Sequence, residues 1–181
     1  MKVFRSLCCA AAFVCALCLV PAQGAAQFTE GGKYVGFHLG MSGVGSAAAI
    51  GAQGEVAYNE RISIGAWLDT WSFGESFSVL GSSTSWDTRY VAVAGTGAYH
   101  FPVEGNEKLD PFVGASLGYF VVNSSATGPT GITYTGDGSR IFFGGHAGVR
   151  YFFRENMSGV ARAGVGASYL TLGMDFGIGG G

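Results

Sequence analysis

Charge is scarce in this chain: Asp, Glu, Lys and Arg make up 12% of 181 residues, where an average soluble domain carries about a quarter. The formal net charge of −2 gives no electrostatic reason to expect a nucleic-acid partner. Long apolar runs are also missing. After the first twenty residues no stretch approaches the roughly 20 apolar residues of a spanning helix, although 48% of the chain is apolar and the mean hydropathy is +0.32. A chain this greasy crosses a bilayer only as strands. Cysteine is confined to Cys8, Cys9, Cys15 and Cys18. Beyond them, disulfides, thiolate metal ligands and cysteine nucleophiles are excluded together. Proline is rare, at four residues, and even with 32 glycines the chain stays below the share that marks low-complexity or collagen-like sequence.

What is present begins with an export signal. Lys2 and Arg5 precede an apolar stretch from Leu7 to Val20, followed by Pro21 and the small-residue run Ala22-Gln23-Gly24-Ala25-Ala26. That order predicts a signal peptide over 1–26, cut after Gly24 or Ala26, with a single domain over 27–181. All four cysteines leave with it, and loss of Lys2 and Arg5 makes the exported chain more acidic.

Alternation then recurs. Val35, Phe37, Leu39 and Met41 oppose Tyr34, Gly36, His38 and Gly40; Ile50, Ala52, Gly54 and Val56 oppose Gly51, Gln53 and Glu55; Ile62, Ile64, Ala66 and Leu68 oppose Ser63, Gly65, Trp67 and Asp69. This period of two is that of a strand with one greasy face. It returns around Tyr90–Phe101, Asp110–Phe120, Arg140–Tyr151 and Ala161–Val165, and most clearly in Leu170, Leu172, Met174, Phe176 and Ile178. Eight strands of mostly 9 to 13 residues result, close to the length of a tilted membrane-crossing strand. Tight links fall at 59–61, 102–109 and 153–156; longer ones fall at 42–49, 73–86 and 122–139, with a short last one near Gly166. The reading is an all-β, eight-stranded antiparallel transmembrane barrel in a bacterial outer membrane, with both termini periplasmic.

The faces separate this from a secreted soluble barrel. A soluble barrel turns apolar residues inward, whereas here the less greasy face is crowded with Gly36, Gly51, Gly65, Gly114, Gly118, Gly144 and Gly148, small enough for a narrow lumen. Aromatic residues collect at two levels, Tyr58, Tyr99, Phe101, Tyr151 and Phe176 at one and Tyr119 and Phe143 at the other, as in headgroup girdles.

The segments PFVGASLGYF (Pro111 to Phe120) and GGHAGVRYFFREN (Gly144 to Asn156), with the ending SYLTLGMDFGI, resemble the small outer-membrane β-barrels of the OmpX, OmpA-barrel and OmpW types. The resemblance implies outer-membrane lipid and the barrel assembly machinery as partners. Members of that family end on an aromatic residue read by the machinery; here Phe176 and Ile178 are followed by three glycines.

Little in the sequence carries chemistry. His38, His100 and His146 have no second ligand at metal spacing on their own strand faces, and they read as lumen fillers. Gly43-Val44-Gly45-Ser46-Ala47-Ala48 fits a loose dinucleotide pattern but lies between two strands, with no helix to receive a pyrophosphate. No metal, cofactor or catalytic residue is expected. The interior says more. Glu55, Arg150, Arg162 and Asp175 fall on inward positions near the short-turn rim, two acids with two bases, and are expected to neutralise one another as packing that also bars ions. Above them Trp67, Trp71, Phe120, Val122 and Phe142 are expected to form an apolar upper lumen, with the register of the strand carrying Trp67 and Trp71 left open. Two functions follow: a channel for small hydrophobic molecules over a charged plug, which the OmpW-type resemblance implies, or a surface adhesin or scaffold that meets host molecules through its loops, which the OmpX-type resemblance implies. A lipid-modifying barrel enzyme ranks third.

Overall fold

A computed structural model describes residues 28–43, 47–79, 82–128 and 132–178; the expected signal peptide lies outside them. The described residues form nine strands and no helix: β1 (Lys33–Ser42), β2 (Ala48–Ala57), β3 (Ile62–Val79), β4 (Ser82–His100), β5 (Leu109–Thr127), β6 (Thr133–Asp137), β7 (Arg140–Arg154), β8 (Met157–Val165) and β9 (Ser168–Gly177). Each pairs antiparallel with its neighbour, and β9 returns to β1, from Tyr34 opposite Gly177 to Met41 opposite Leu170. Eight strands thus close on themselves, and no barrel edge is left to recruit another chain.

The short β6 stands outside this ring. It pairs only with the upper end of β5, from Asn123 opposite Asp137 to Thr127 opposite Thr133, while β7 continues the barrel beside the lower part of β5.

Outward side chains are apolar and open to the surroundings. Val35, Phe37, Leu39, Ile50, Ile64, Leu68, Val93, Leu117 and Ile141 are all exposed, and Phe143 is 79% exposed. Such a band around a closed barrel is the surface of a membrane-spanning structure, because water would make so large an apolar patch costly. Tyr58, Tyr99 and Phe101 lie at the short-turn edge, where Arg61 Nη1 donates to the Tyr99 hydroxyl at 3.3 Å.

Inward positions are small or polar. A methyl group on Gly36 would run into the carboxylate of Asp175, and one on Gly51 into Asp69 and the ring of His38. Glycine at these two positions gives inner side chains the room to meet.

Two expected loops are strand for most of their length. Over 73–86 the chain continues β3 and β4 in one hairpin, with Phe73 opposite Thr88 and Val79 opposite Ser82. Over 122–139 it extends β5 and adds β6. The physical reason is that strand alternation is visible only while one face meets lipid. Past the membrane edge both faces meet water, so the Ser- and Thr-rich arms lose their contrast while their backbone ladder continues. The result is a four-stranded wall of β3, β4, β5 and β6 standing above a rim that stays low at β1, β2, β8 and β9.

Candidate functional site

The interior divides into two levels. At the short-turn end the hub is Arg150 of β7, fully buried. Its Nη2 donates to Glu55 Oε2 at 2.8 Å and its Nη1 to Oε1 at 3.4 Å. Nε and Nη2 both donate to Asp175 Oδ2, at 3.2 and 3.0 Å, and Nη1 reaches Asp110 Oδ2 at 3.4 Å. The guanidinium is also 4.9 Å from the ring centroid of Tyr34. A fork of five donors on a planar cation suits a site where three carboxylates converge from three strands.

The structure brings Glu55, Arg150 and Asp175 together, and the arrangement departs from two acids paired with two bases in two respects. Asp110 is a third acid in the group. Among the described residues Arg162 pairs with no carboxylate: its Nη2 donates to Gln53 Oε1 at 2.7 Å, and Gln53 Nε2 donates to Asp175 Oδ1 at 2.6 Å. Arg162 lies two residues of pleat higher in the lumen than the hub, so the amide spans the gap, and the Phe112 ring supports the guanidinium at 5.7 Å.

Two of the three histidines, His38 and His100, have specific polar partners. His38 Nε2 and Asp69 Oδ1 are 2.5 Å apart, and Ser168 Oγ donates to Asp69 Oδ2 at 2.9 Å. A cavity of about 30 Å³, the volume of about one water molecule, lies among His38, Asp69, His146 and Arg162.

His100 belongs to a Ser–His–Asp series. Its Nδ1 is 2.7 Å from Asp110 Oδ1 and its Nε2 is 2.9 Å from Ser63 Oγ, the order in which a hydrolase nucleophile is activated. The surroundings argue for structure instead. Ser63 is 2% exposed, and the Phe28 ring covers His100 at 3.8 Å between centroids. The adjacent groove, about 250 Å³, is lined by His100 and Asp110 but not by Ser63. The backbone N–H groups of Ser63 and its neighbours lie in the β2–β3–β4 ladder, which leaves few donors for an oxyanion.

The upper level is aromatic. Trp71, Phe120, Val122 and Phe142 are buried together with Ala49, Ala92, Ala94 and Ala167, and Trp67 and Tyr90 pack against them. Trp67 and Trp71 both turn inward, which fixes the register of β3. Phe120 stacks on Phe142 at 4.2 Å, Trp71 lies parallel to Tyr90 at 5.1 Å, and Trp67 meets Phe142 at 5.8 Å. The five residues expected to line an apolar lumen fill it, with Trp71 and Phe120 each 3% exposed.

Above this level the wall begins. Ser139 donates to Asp137 Oδ1 from both its backbone N–H and its hydroxyl, which holds that carboxyl below the ordinary carboxylate range. Ser139 Oγ in turn accepts from Val122 N–H at 3.2 Å, fixing the foot of β6 to β5.

The sequence did not point to Ser63, His100 and Asp110, or to His38 and Asp69, as connected groups. Each is visible as an inward position, but which ones meet depends on the stagger between strands.

Among solved structures the chain is similar to the N-terminal β-barrel domain of OprF from Pseudomonas aeruginosa, with a TM-score of 0.57 and 15% identity over 82% of this chain and 98% of that one. It is also similar to Ail, the attachment invasion locus protein of Yersinia pestis, solved with the heparin analogue sucrose octasulfate, with a TM-score of 0.56 and 12% identity over 81% of this chain and 97% of that one. No family model and no curated protein matches the sequence. The fold is that of the small eight-stranded outer-membrane barrels.

Proposed function

We propose that this outer-membrane-type barrel is a surface-display protein that acts through the wall of β3 to β6, with the wall outside the cell and both termini in the periplasm. The observation that carries this reading is the contrast between interior and rim. The lumen is filled at two successive levels, by the Arg150 hub and by the Trp71–Phe120–Phe142 layer. The longest ordered strands, meanwhile, project beyond the apolar band. Eight strands enclose just enough space for side chains to fill, and this lumen is filled by its own, so the interaction surface lies where the chain leaves the membrane. Ail, a structural neighbour, is named for attachment and invasion, which supports host surface molecules as partners.

The test uses the absence of cysteine after residue 18. A single Thr135→Cys variant should react with a membrane-impermeant maleimide on intact cells, whereas Asn106→Cys should react only after the outer membrane is opened. Attachment of expressing cells to host-cell monolayers should then fall when residues 75–86 and 125–137 are replaced by short turns. Labelling of the opposite pattern, or attachment unaffected by the replacements, overturns the reading.

A second reading, passage of small hydrophobic molecules, has one observation in its favour. A lipid-facing depression of about 380 Å³ lies at Ala66, Val93, Gly95 and Leu117, and its floor includes the small inward residues Ala94 and Gly118. The wall between the aromatic layer and the lipid is thin there. Uptake of an apolar probe that is lost in Phe120→Glu, with the barrel still folded, would move the assignment to this reading.

A further inference from the structure

The face of the wall that continues the barrel interior differs from the face that continues its lipid side. Register places Glu75, Trp86, Ala126 and Tyr134 in one row across β3, β4, β5 and β6. The row beneath it reads Phe73, Thr88, Ser124 and Gly136. Both rows fall on the inward parity of their strands, yet Trp86 is 56% and Tyr134 is 68% exposed, because no described residue faces them across the low rim.

Trp86 is exposed but not free. Its Nε1 donates to Ser124 Oγ at 3.2 Å, and Ser124 Oγ lies 2.5 Å from Thr88 Oγ1. The indole is thus held in one orientation by a hydroxyl pair, with more than half its surface open. An apolar ring fixed in water loses the entropy that binding would otherwise cost, while retaining its apolar face for a ligand. Two strands away, at a spacing of about 10 Å, Tyr134 offers a second ring. Between them Ala126 is too small to fill the space, and Gly136, with no atom within 4 Å of the place where a Cβ would stand, leaves the β6 side open.

A slot about one ring wide, with aromatic sides, a methyl floor and hydroxyls along its base, fits a particular chemistry. A pyranose has one face of C–H groups that packs on an aromatic plane and an edge of hydroxyls that bonds to Ser and Thr. Charge narrows the class. The only charged side chain in these two rows is Glu75, while Arg89, opposite Ser72, belongs to the other face. Sulfated or uronic saccharides would meet that carboxylate with no cation in either row to balance it, since Arg140 lies lower on the same face, 5.6 Å from the Phe120 ring centroid. We infer that the inner face of the wall, at Trp86, Ala126 and Tyr134, is a binding site for an uncharged oligosaccharide. The inference rests on the surface reading above and names its ligand class.

The experiment titrates the full folded barrel in detergent with maltohexaose, cellohexaose and chitohexaose, and with a heparin-derived hexasaccharide as the charged comparison. Binding is followed by calorimetry and by tryptophan fluorescence. Trp86 is the only exposed residue of the three tryptophans, so a bound sugar should change the emission of this one ring. At least one neutral hexasaccharide should bind, Trp86→Ala and Tyr134→Ala should each weaken it by about tenfold or more, and both variants should keep the faster migration of unboiled protein. Glu75→Lys should add binding of the heparin fragment. No binding of any neutral hexasaccharide, equal binding by Trp86→Ala, or preference of the unmodified protein for the heparin fragment overturns the inference. Attachment of expressing cells to enzymatically deglycosylated host monolayers separates the two readings. If attachment depends on the wall but persists after sugar removal, the surface role stands and the saccharide site falls.

Discussion

Arg150 and Asp175 come from strands separated by β8, and two guanidinium nitrogens, Nε and Nη2, converge on one carboxylate oxygen at 3.2 and 3.0 Å. With Glu55 and Asp110 completing the hub, one fully buried cation serves three acids. A charge in that position is tolerated only while its partners stay in place.

Arg150→Met should therefore be among the most damaging substitutions in the barrel. Removing one partner of a buried ionic group costs about 3–5 kcal/mol, and here three carboxylates would lose their shared counter-charge. The measurement is the temperature at which the fast-migrating folded band converts to the unfolded one on a detergent gel. An unchanged conversion temperature would show that the hub contributes nothing to stability.

The two glycines that make room for the interior offer a finer test. Gly36→Ala places a methyl against Asp175 and Gly51→Ala places one against Asp69 and His38, whereas Gly54, on the lipid side, has open space around it. Overpacking costs about 1–3 kcal/mol, so the first two variants should convert at lower temperature while Gly54→Ala converts with the unmodified protein.

Conductance should stay absent even when charged residues of the lower level are removed. Arg162 stands above the hub and is held through Gln53, so Arg162→Ala widens the small cavity but leaves the Arg150 level closed. In planar bilayers the unmodified protein, Arg162→Ala and the double variant Arg150→Ala with Arg162→Ala should all give no steady porin-like current, because the Trp71–Phe120–Phe142 layer still closes the lumen above them. Steady large currents from the unmodified barrel would contradict a filled lumen.

Ser63, His100 and Asp110 have the spacing of an activated nucleophile without its access. A fluorophosphonate that labels serine hydrolases should leave the folded protein unmodified, as judged by intact mass, and Ser63→Ala should lower the unfolding temperature. Labelling at Ser63 would make the barrel an enzyme.

How much of this was legible in the sequence follows the membrane boundary. Val35-Gly36-Phe37-His38-Leu39 alternates between lipid and lumen, so the barrel strands, the tight turns and the inward positions of Glu55, Arg150, Arg162 and Asp175 could be read directly. Beyond Phe73 on β3 and before Thr88 on β4 both faces are wet, and a paired strand such as Gly74 to Ser78 looks like a loop. Contacts across the lumen were less accessible still. Asp110 and His100 lie on adjacent strands with a turn between them, but Gln53 reaches Arg162 on the far side of the ring, and only closure of β9 on β1 sets that distance.

The wall is held together from within the backbone. On its outer face Ser76, Ser85, Asn123, Ser125 and Thr135 contribute their N–H and C=O groups to the ladders of β3 to β6, while their side chains point away from Trp86 and Tyr134. The two central strands of the wall, β4 and β5, have their ladders paired on both sides, and such strands need little from their side chains where one face is unburied. That outer face is therefore free to drift: substitutions there alter what an antibody meets without disturbing either the ring of strands below or the aromatic face behind, so the surface seen from outside can diverge while the barrel stays the same.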